Sequence, residues 1–282
     1  MSRYKEILVC PEAELLVNKL LLKPDELTLS KHFINSLQTD IKFKNWGLNN
    51  ISLEDFANCS TNFSVFIRIL NIYKQRIKPG ANIILFKAVE LIGLYDSIIK
   101  FSNAGIEFFF ISLIRDCRAI FSSQKNTRIN NIPINNNPLV TAHHWKEYVK
   151  WSGKQKNEDN FLIITYEDLI KAPDFEINKL FNLTGLSNKV TINNPAGDLY
   201  DRLPNYQKEI HTSIILPPDI SKINTWENEL SKYEIILIEN IAGNQLRALG
   251  YDLLLPEINM FKLLILKIYY KLLIFTGINK YY

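Results

Sequence analysis

Glycine is scarce in this chain. There are ten among 282 residues, and none precedes Gly47. A loop that wraps a phosphate with successive backbone N–H groups relies on glycine for the close approach, so no such loop is legible in the first 46 residues. Cysteine is sparser still. Cys10, Cys59 and Cys117 stand far apart without a CxxC spacing, which excludes a disulfide framework or a thiolate metal site and suits free thiols in a reducing, cytoplasmic setting. Of the four histidines only His143 and His144 are neighbours, and adjacent residues on a helix point about 100° apart, so no metal is expected. No apolar run reaches the roughly 20 residues of a membrane span. The start MSRYKEILVC has too few apolar residues before Pro11 and Glu12 to read as a secretory leader. The net charge of +4 suits an anionic ligand or an acidic surface and does not call for nucleic acid.

What the chain does have is alternation. Asn82–Phe86 (NIILF), Glu107–Ile114 and Phe161–Thr165 (FLIIT) are short apolar runs of the kind that form buried strands. Between them lie helical patterns: residues 11–22, a helix from an N-cap at Ser52 towards Tyr73 or Arg76, residues 88–101, 118–124, a helix opened by Pro138, and 166–183 restarting near Pro173. A long helix is predicted over 224–249, closed by Gly250. Strand–helix alternation predicts an α/β fold with a parallel sheet. Residues 24–50, 125–138 and 187–222 read as loops.

The strand ending at Ile114 delivers Arg115-Asp116 to its C-terminal edge, where ligands of open α/β sheets sit, and Ser123 follows eight residues after Arg115. A guanidinium fork with a nearby hydroxyl is a phosphate receptor; a salt-bridged structural arginine is the plain alternative. Tyr166-Glu167-Asp168-Leu169 follows the FLIIT strand, where a tyrosine can stack on a base or the acids can simply favour a helix N-terminus. Asn224-Thr225-Trp226 opens the last long helix, which ends in Leu249-Gly250-Tyr251-Asp252; Trp226 also suits a core anchor. Cys10-Pro11-Glu12 and the segment Leu85-Phe86-Lys87-Ala88 complete the set.

Taken in order, these segments resemble the sulfotransferases that use 3'-phosphoadenylyl sulfate (PAPS), among them the bacterial and tyrosylprotein-type members. The resemblance implies a nucleotide-kinase-like parallel sheet flanked by helices and no metal. It implies that Arg115 and Ser123 grip the 3'-phosphate and Tyr166 lies near the adenine. Lys222 would reach the phosphosulfate from the turn before Trp226, where the family often has a base and this chain has Thr225. Glu12 would be the catalytic base, with Glu14 behind it, and Lys87 would touch the sulfonate or the acceptor. The family has a Gly-, Ser- and Thr-rich loop after its first strand, and nothing here matches it. The expectation is a chain missing the first strand and the phosphate loop, either because it is N-terminally truncated or because the gene has decayed. The expected reaction is sulfuryl transfer to a hydroxyl or amine of a glycan or glycolipid. A non-catalytic remnant that binds nucleotide or a partner is the rival, and an ATP-using nucleoside kinase a weaker one.

Residues 1–255 are expected to form one sulfotransferase-like domain. Beyond it, Met260–Phe275 has 13 apolar or aromatic residues in 16, broken by Lys262, Lys267 and Lys271. It reads as a basic-hydrophobic terminal helix, packed on the domain or lying in a membrane interface.

Overall fold

The computed structural model describes residues 4–88, 91–101, 105–129, 131–186, 208, 219–254 and 258–275. The chain divides into two compact units, Met1–Phe108 with Gly185–Pro217, and Phe109–Thr184 with Pro218–Tyr282.

In the first unit, β1 (Ile7–Val9) leads through an extended turn to α1 (Glu14–Leu16), which continues as a π-helical stretch over Val17–Leu21. There follow α2 (Lys31–Thr39), α3 (Ile41–Lys44), a 3-10 turn over Leu53–Phe56, α4 (Asn62–Ile77), β2 (Ile83–Leu85) and α5 (Tyr95–Ile99). β1 and β2 pair in parallel, Ile7 opposite Ile83 and Val9 opposite Leu85, and the helices between them supply the crossover that parallel pairing needs. A strand, a turn and a helix follow one another within residues 7–21, where the sequence showed no strand before Asn82. Three apolar residues are too few to announce a strand locally. β1 is fixed from afar, by β2 and by Lys78, whose Nζ donates to the Tyr4 and Ile7 carbonyls at 2.8 and 3.0 Å.

Other boundaries shift for local reasons. Pro11–Ala13 stay outside the first helix. The helix expected from Ser52 is two elements, because Ser52 forms a capping box with Asp55 on the 3-10 turn and Thr61 forms a second one with Ser64 at the start of α4. Within 88–101 only Tyr95–Ile99 is α-helical among the described residues, and the loop expected over 24–50 contains α2 and α3. Asn62 ties the turn before α2 to α4: its Oδ1 accepts from the Thr28 N–H at 2.7 Å and its Nδ2 donates to the Lys23 carbonyl at 2.8 Å.

The second unit comprises β3 (Phe110–Ile114), α6 (Cys117–Asn126), a minimal hairpin of β4 (Arg128–Ile129) and β5 (Ile132–Pro133), α7 (Pro138–Gln155), β6 (Phe161–Thr165), α8 (Tyr166–Lys171), α9 (Pro173–Leu183), α10 (Trp226–Glu229), α11 (Lys232–Ala248) and α12 (Met260–Phe275). β3 pairs in parallel with β6 from Phe110 opposite Phe161 to Ile114 opposite Thr165. Pro138 opens α7 at its first turn, with Asn137 Oδ1 accepting from the Leu139 N–H at 3.0 Å. The helix expected over 224–249 is broken at Leu230, and Ser231 caps α11 in a box with Glu234. Gly250 closes it at a φ of 82°, a conformation that favours glycine. Phe121, Ala142, Trp145, Trp226, Ile238 and Leu246 form the centre of this unit's core. Of the loop expected over 187–222, residues 187–207 and 209–218 lie outside the described residues.

Trp46 anchors the first unit. It is buried against Phe43 and Tyr73, with ring centroids 5.7 and 4.7 Å away, and its Nε1 has no hydrogen-bond partner. Trp46→Ala is expected to cost about 3–5 kcal/mol in urea unfolding. Trp46→Phe, which keeps an aromatic ring and removes the unpaired N–H, is expected to cost clearly less.

Candidate functional site

Each parallel strand pair carries two of the expected site residues just past its C-terminal end. In the second unit, Ile114 and Thr165 are the last residues in register, so Arg115 and Tyr166 emerge side by side. The Arg115 guanidinium carbon sits 4.5 Å from the centre of the Tyr166 ring. Its Nε is buried without a hydrogen-bond partner, and its backbone carbonyl accepts from Trp145 Nε1 at 2.8 Å. A guanidinium held by its backbone and stacked on one face, with a donor still unfilled, is a receptor for an oxyanion.

α6 begins directly after Arg115-Asp116. Asp116 caps it, Oδ1 accepting from the Arg118 N–H at 2.8 Å. Two serines follow on this helix. Ser122 is buried and donates to Glu229, whereas Ser123 is exposed, so Ser123 is the hydroxyl available to a ligand. Lys222 is exposed at the end of a 3-10 turn, Ile220–Lys222, that packs beside α8, the helix opened by Tyr166.

In the first unit, Val9 opposite Leu85 ends the register. Glu12 and Lys87 follow and form an ion pair with each other. Lys42 Nζ lies 3.9 Å from Glu12 Oε2 and pairs with Glu14. The turn after β1 thus presents two carboxylates and two ammonium groups, and it contains no glycine.

Behind Arg115 lies a buried network that motif reading does not single out. Arg118 is 2% exposed. It donates through Nε and Nη2 to Asp116 at 3.1 and 2.7 Å, and through Nη1 to Glu239 at 2.6 Å. Its guanidinium lies 3.9 Å from the centre of the Trp226 ring. Burial opposes its charge, but hydrogen bonds to the Asp116 and Glu239 carboxylates outweigh this and raise its pKa above the usual arginine value. Glu167 accepts from the Asp116 backbone N–H at 3.0 Å and from the Tyr251 hydroxyl at 2.6 Å. Burial, then the Glu167 hydrogen bond and charge, push the Tyr251 phenol well above the ordinary tyrosine range. The motif residues Asp116, Glu167, Trp226 and Tyr251 thus serve to position Arg115 and Tyr166. Cys117 is buried beside them, and burial followed by the Asp116 charge raises its thiol pKa, leaving it protonated. No group of three or more His, Cys, Asp or Glu side chains is placed to hold a metal among the described residues.

Comparison with known proteins points to the same part of the chain. The family model described as "Sulfotransferase domain" matches residues 111–202, the segment that begins in β3 and contains Arg115, Ser123 and Tyr166. The sulfotransferase domain from the curacin biosynthetic pathway superposes with a TM-score of 0.52 at 15% identity, over 89% of this chain and 91% of that one. The likeness to sulfotransferases holds in sequence and in fold. No curated protein matches the sequence. The turn bearing Glu12 lies outside the sulfotransferase segment matched by the family model.

Removing Arg118 strands two buried carboxylates, and Arg118→Ala is expected to cost about 3–5 kcal/mol in chemical denaturation. Tyr251→Phe is expected to cost about 1–3 kcal/mol at neutral pH by leaving a Glu167 oxygen without its donor. Because folding raises the Tyr251 pKa, its contribution is complete below the unfolded tyrosine value of about 10 and fades as pH rises beyond it. The stability gap between the parent protein and Tyr251→Phe should therefore narrow above roughly pH 10.

Proposed function

We propose that the protein is a sulfotransferase that takes its sulfuryl group from 3'-phosphoadenylyl sulfate and passes it to a hydroxyl or amine of a glycan or glycolipid. The observation that carries this reading is Arg115, stacked on Tyr166 at the end of a parallel strand with a buried donor unfilled. In this reading Arg115 and the exposed Ser123 hydroxyl receive the 3'-phosphate. Tyr166 offers its ring to the adenine, and Lys222 adds positive charge from the turn beside α8. PAPS supplies the sulfuryl group itself. Glu12 accepts the proton of the acceptor hydroxyl, and Lys87 stabilises negative charge developing near it. Since Glu12 and Lys87 are paired with each other, the pair must open for either to meet a substrate. The free thiols suit a cytoplasmic setting.

A second reading is favoured by a specific observation. The turn after β1 carries Glu12 and Glu14, each held by lysine, where the resemblance leads one to look for a glycine-rich anion cradle. Carboxylates there repel a phosphosulfate, and a protein of this kind would bind the nucleotide without turnover.

Two measurements separate these readings. Calorimetric titration with adenosine 3',5'-bisphosphate is expected to show binding that Arg115→Ala weakens about 10- to 100-fold, the loss of a charged hydrogen bond. Incubation with radiolabelled PAPS and a glycan and lipid extract is expected to yield labelled product with the parent protein and none with Glu12→Gln. Binding without label transfer favours the second reading. Absence of nucleotide binding overturns both, and a thermal shift with ATP but not with the bisphosphate would point to a kinase.

A further inference from the structure

The terminal helix α12 is apolar on two opposite faces. Leu263, Leu266 and Tyr270 pack with Leu139, Ile236 and Leu237 of α7 and α11, and the Tyr270 carbonyl accepts from Asn137 Nδ2 at 2.8 Å. At about 100° per residue, Phe261, Leu264, Ile265, Ile268, Tyr269 and Leu272 fall on the outer side. They are exposed there, Phe261 at 71% and Leu272 at 59%. On the same wheel Lys262 lies on one margin of this stripe, and Lys267 and Lys271 lie on the other. The helix contains no Asp or Glu.

We propose that this outer face of α12 seats the protein on an anionic lipid bilayer. The apolar stripe enters the acyl boundary, and Lys267 and Lys271 on one margin extend to the headgroup phosphates, while Lys262 on the other is held by the Tyr233 hydroxyl and ring. The charge pattern selects this occupant. A second copy of the chain would bring lysine margins against lysine margins, with no carboxylate on either helix to neutralise them. The helix does not cross the membrane: 16 residues span about 24 Å against a hydrocarbon core of about 30 Å, and its inner face is already occupied. No described helix is long and apolar enough to cross a bilayer. A glycolipid acceptor would be presented at such a surface, but the membrane contact stands without that reading, and its test uses no nucleotide.

The test is flotation of the full chain with vesicles of phosphatidylcholine alone and of phosphatidylcholine with phosphatidylglycerol. Binding is expected on the anionic vesicles, weaker on the neutral ones, and reduced by salt. Ile268→Glu, which changes only an exposed position, is expected to lower binding at least about tenfold with an unchanged melting temperature. Lys267→Gln and Lys271→Gln are expected to lower it about fivefold each on anionic vesicles only. Failure to float with anionic vesicles overturns the proposal, as does undiminished binding by Ile268→Glu. A concentration-dependent dimer abolished by Ile268→Glu also overturns it, since the face would then belong to a second copy.

Discussion

The second unit is organised around one buried charge. The Arg118 guanidinium joins the cap of α6 through Asp116 to the middle of α11 through Glu239, with the Trp226 ring stacked on it. Glu239 also accepts from the Leu254 N–H at 3.0 Å, so the chain leaving α11 is tied to the same point. An ion pair out of water contributes little net stability unless every donor and acceptor is satisfied. Here three hydrogen bonds to the carboxylates use the fork in its planar geometry, which a lysine does not reproduce. The network's value is therefore positional. It fixes where α6 starts, hence where Arg115 leaves β3.

The two strand pairs share one design with different contents. Parallel strands end on the same side, and each pair places two candidate site residues within three positions of its last paired residues. In the second unit the result is a cation stacked on an aromatic ring. In the first it is a carboxylate matched to ammonium groups. The family model covers the former and stops short of the latter.

Much of this was legible in the sequence, for identifiable reasons. FLIIT became β6 at the expected bounds, and Pro173 divided α8 from α9, because a buried apolar run and a proline dominate their surroundings. Asn137-Pro138 started α7 for the same reason. β1 was not legible, since Ile7-Leu8-Val9 is a strand only by virtue of β2 and Lys78. The break at Leu230-Ser231 was hidden because Ser231-Glu234 is both a helix-compatible stretch and a capping box. The motifs assigned Arg115 and Tyr166 to the same nucleotide, but the stacking of one on the other was not legible. Glu239, the second carboxylate partner of Arg118, is 121 residues away, and pairing at that separation leaves no local trace.

Asn137 has a consequence beyond its own helix. One end of its amide caps α7 and the other holds the backbone of α12 at Tyr270. Two turns further along α7, Trp145 grips the carbonyl of Arg115. A rigid rod gripped at its start and again two turns along acts as a lever, so a sideways push on the terminal helix reaches Arg115 without any intervening hinge.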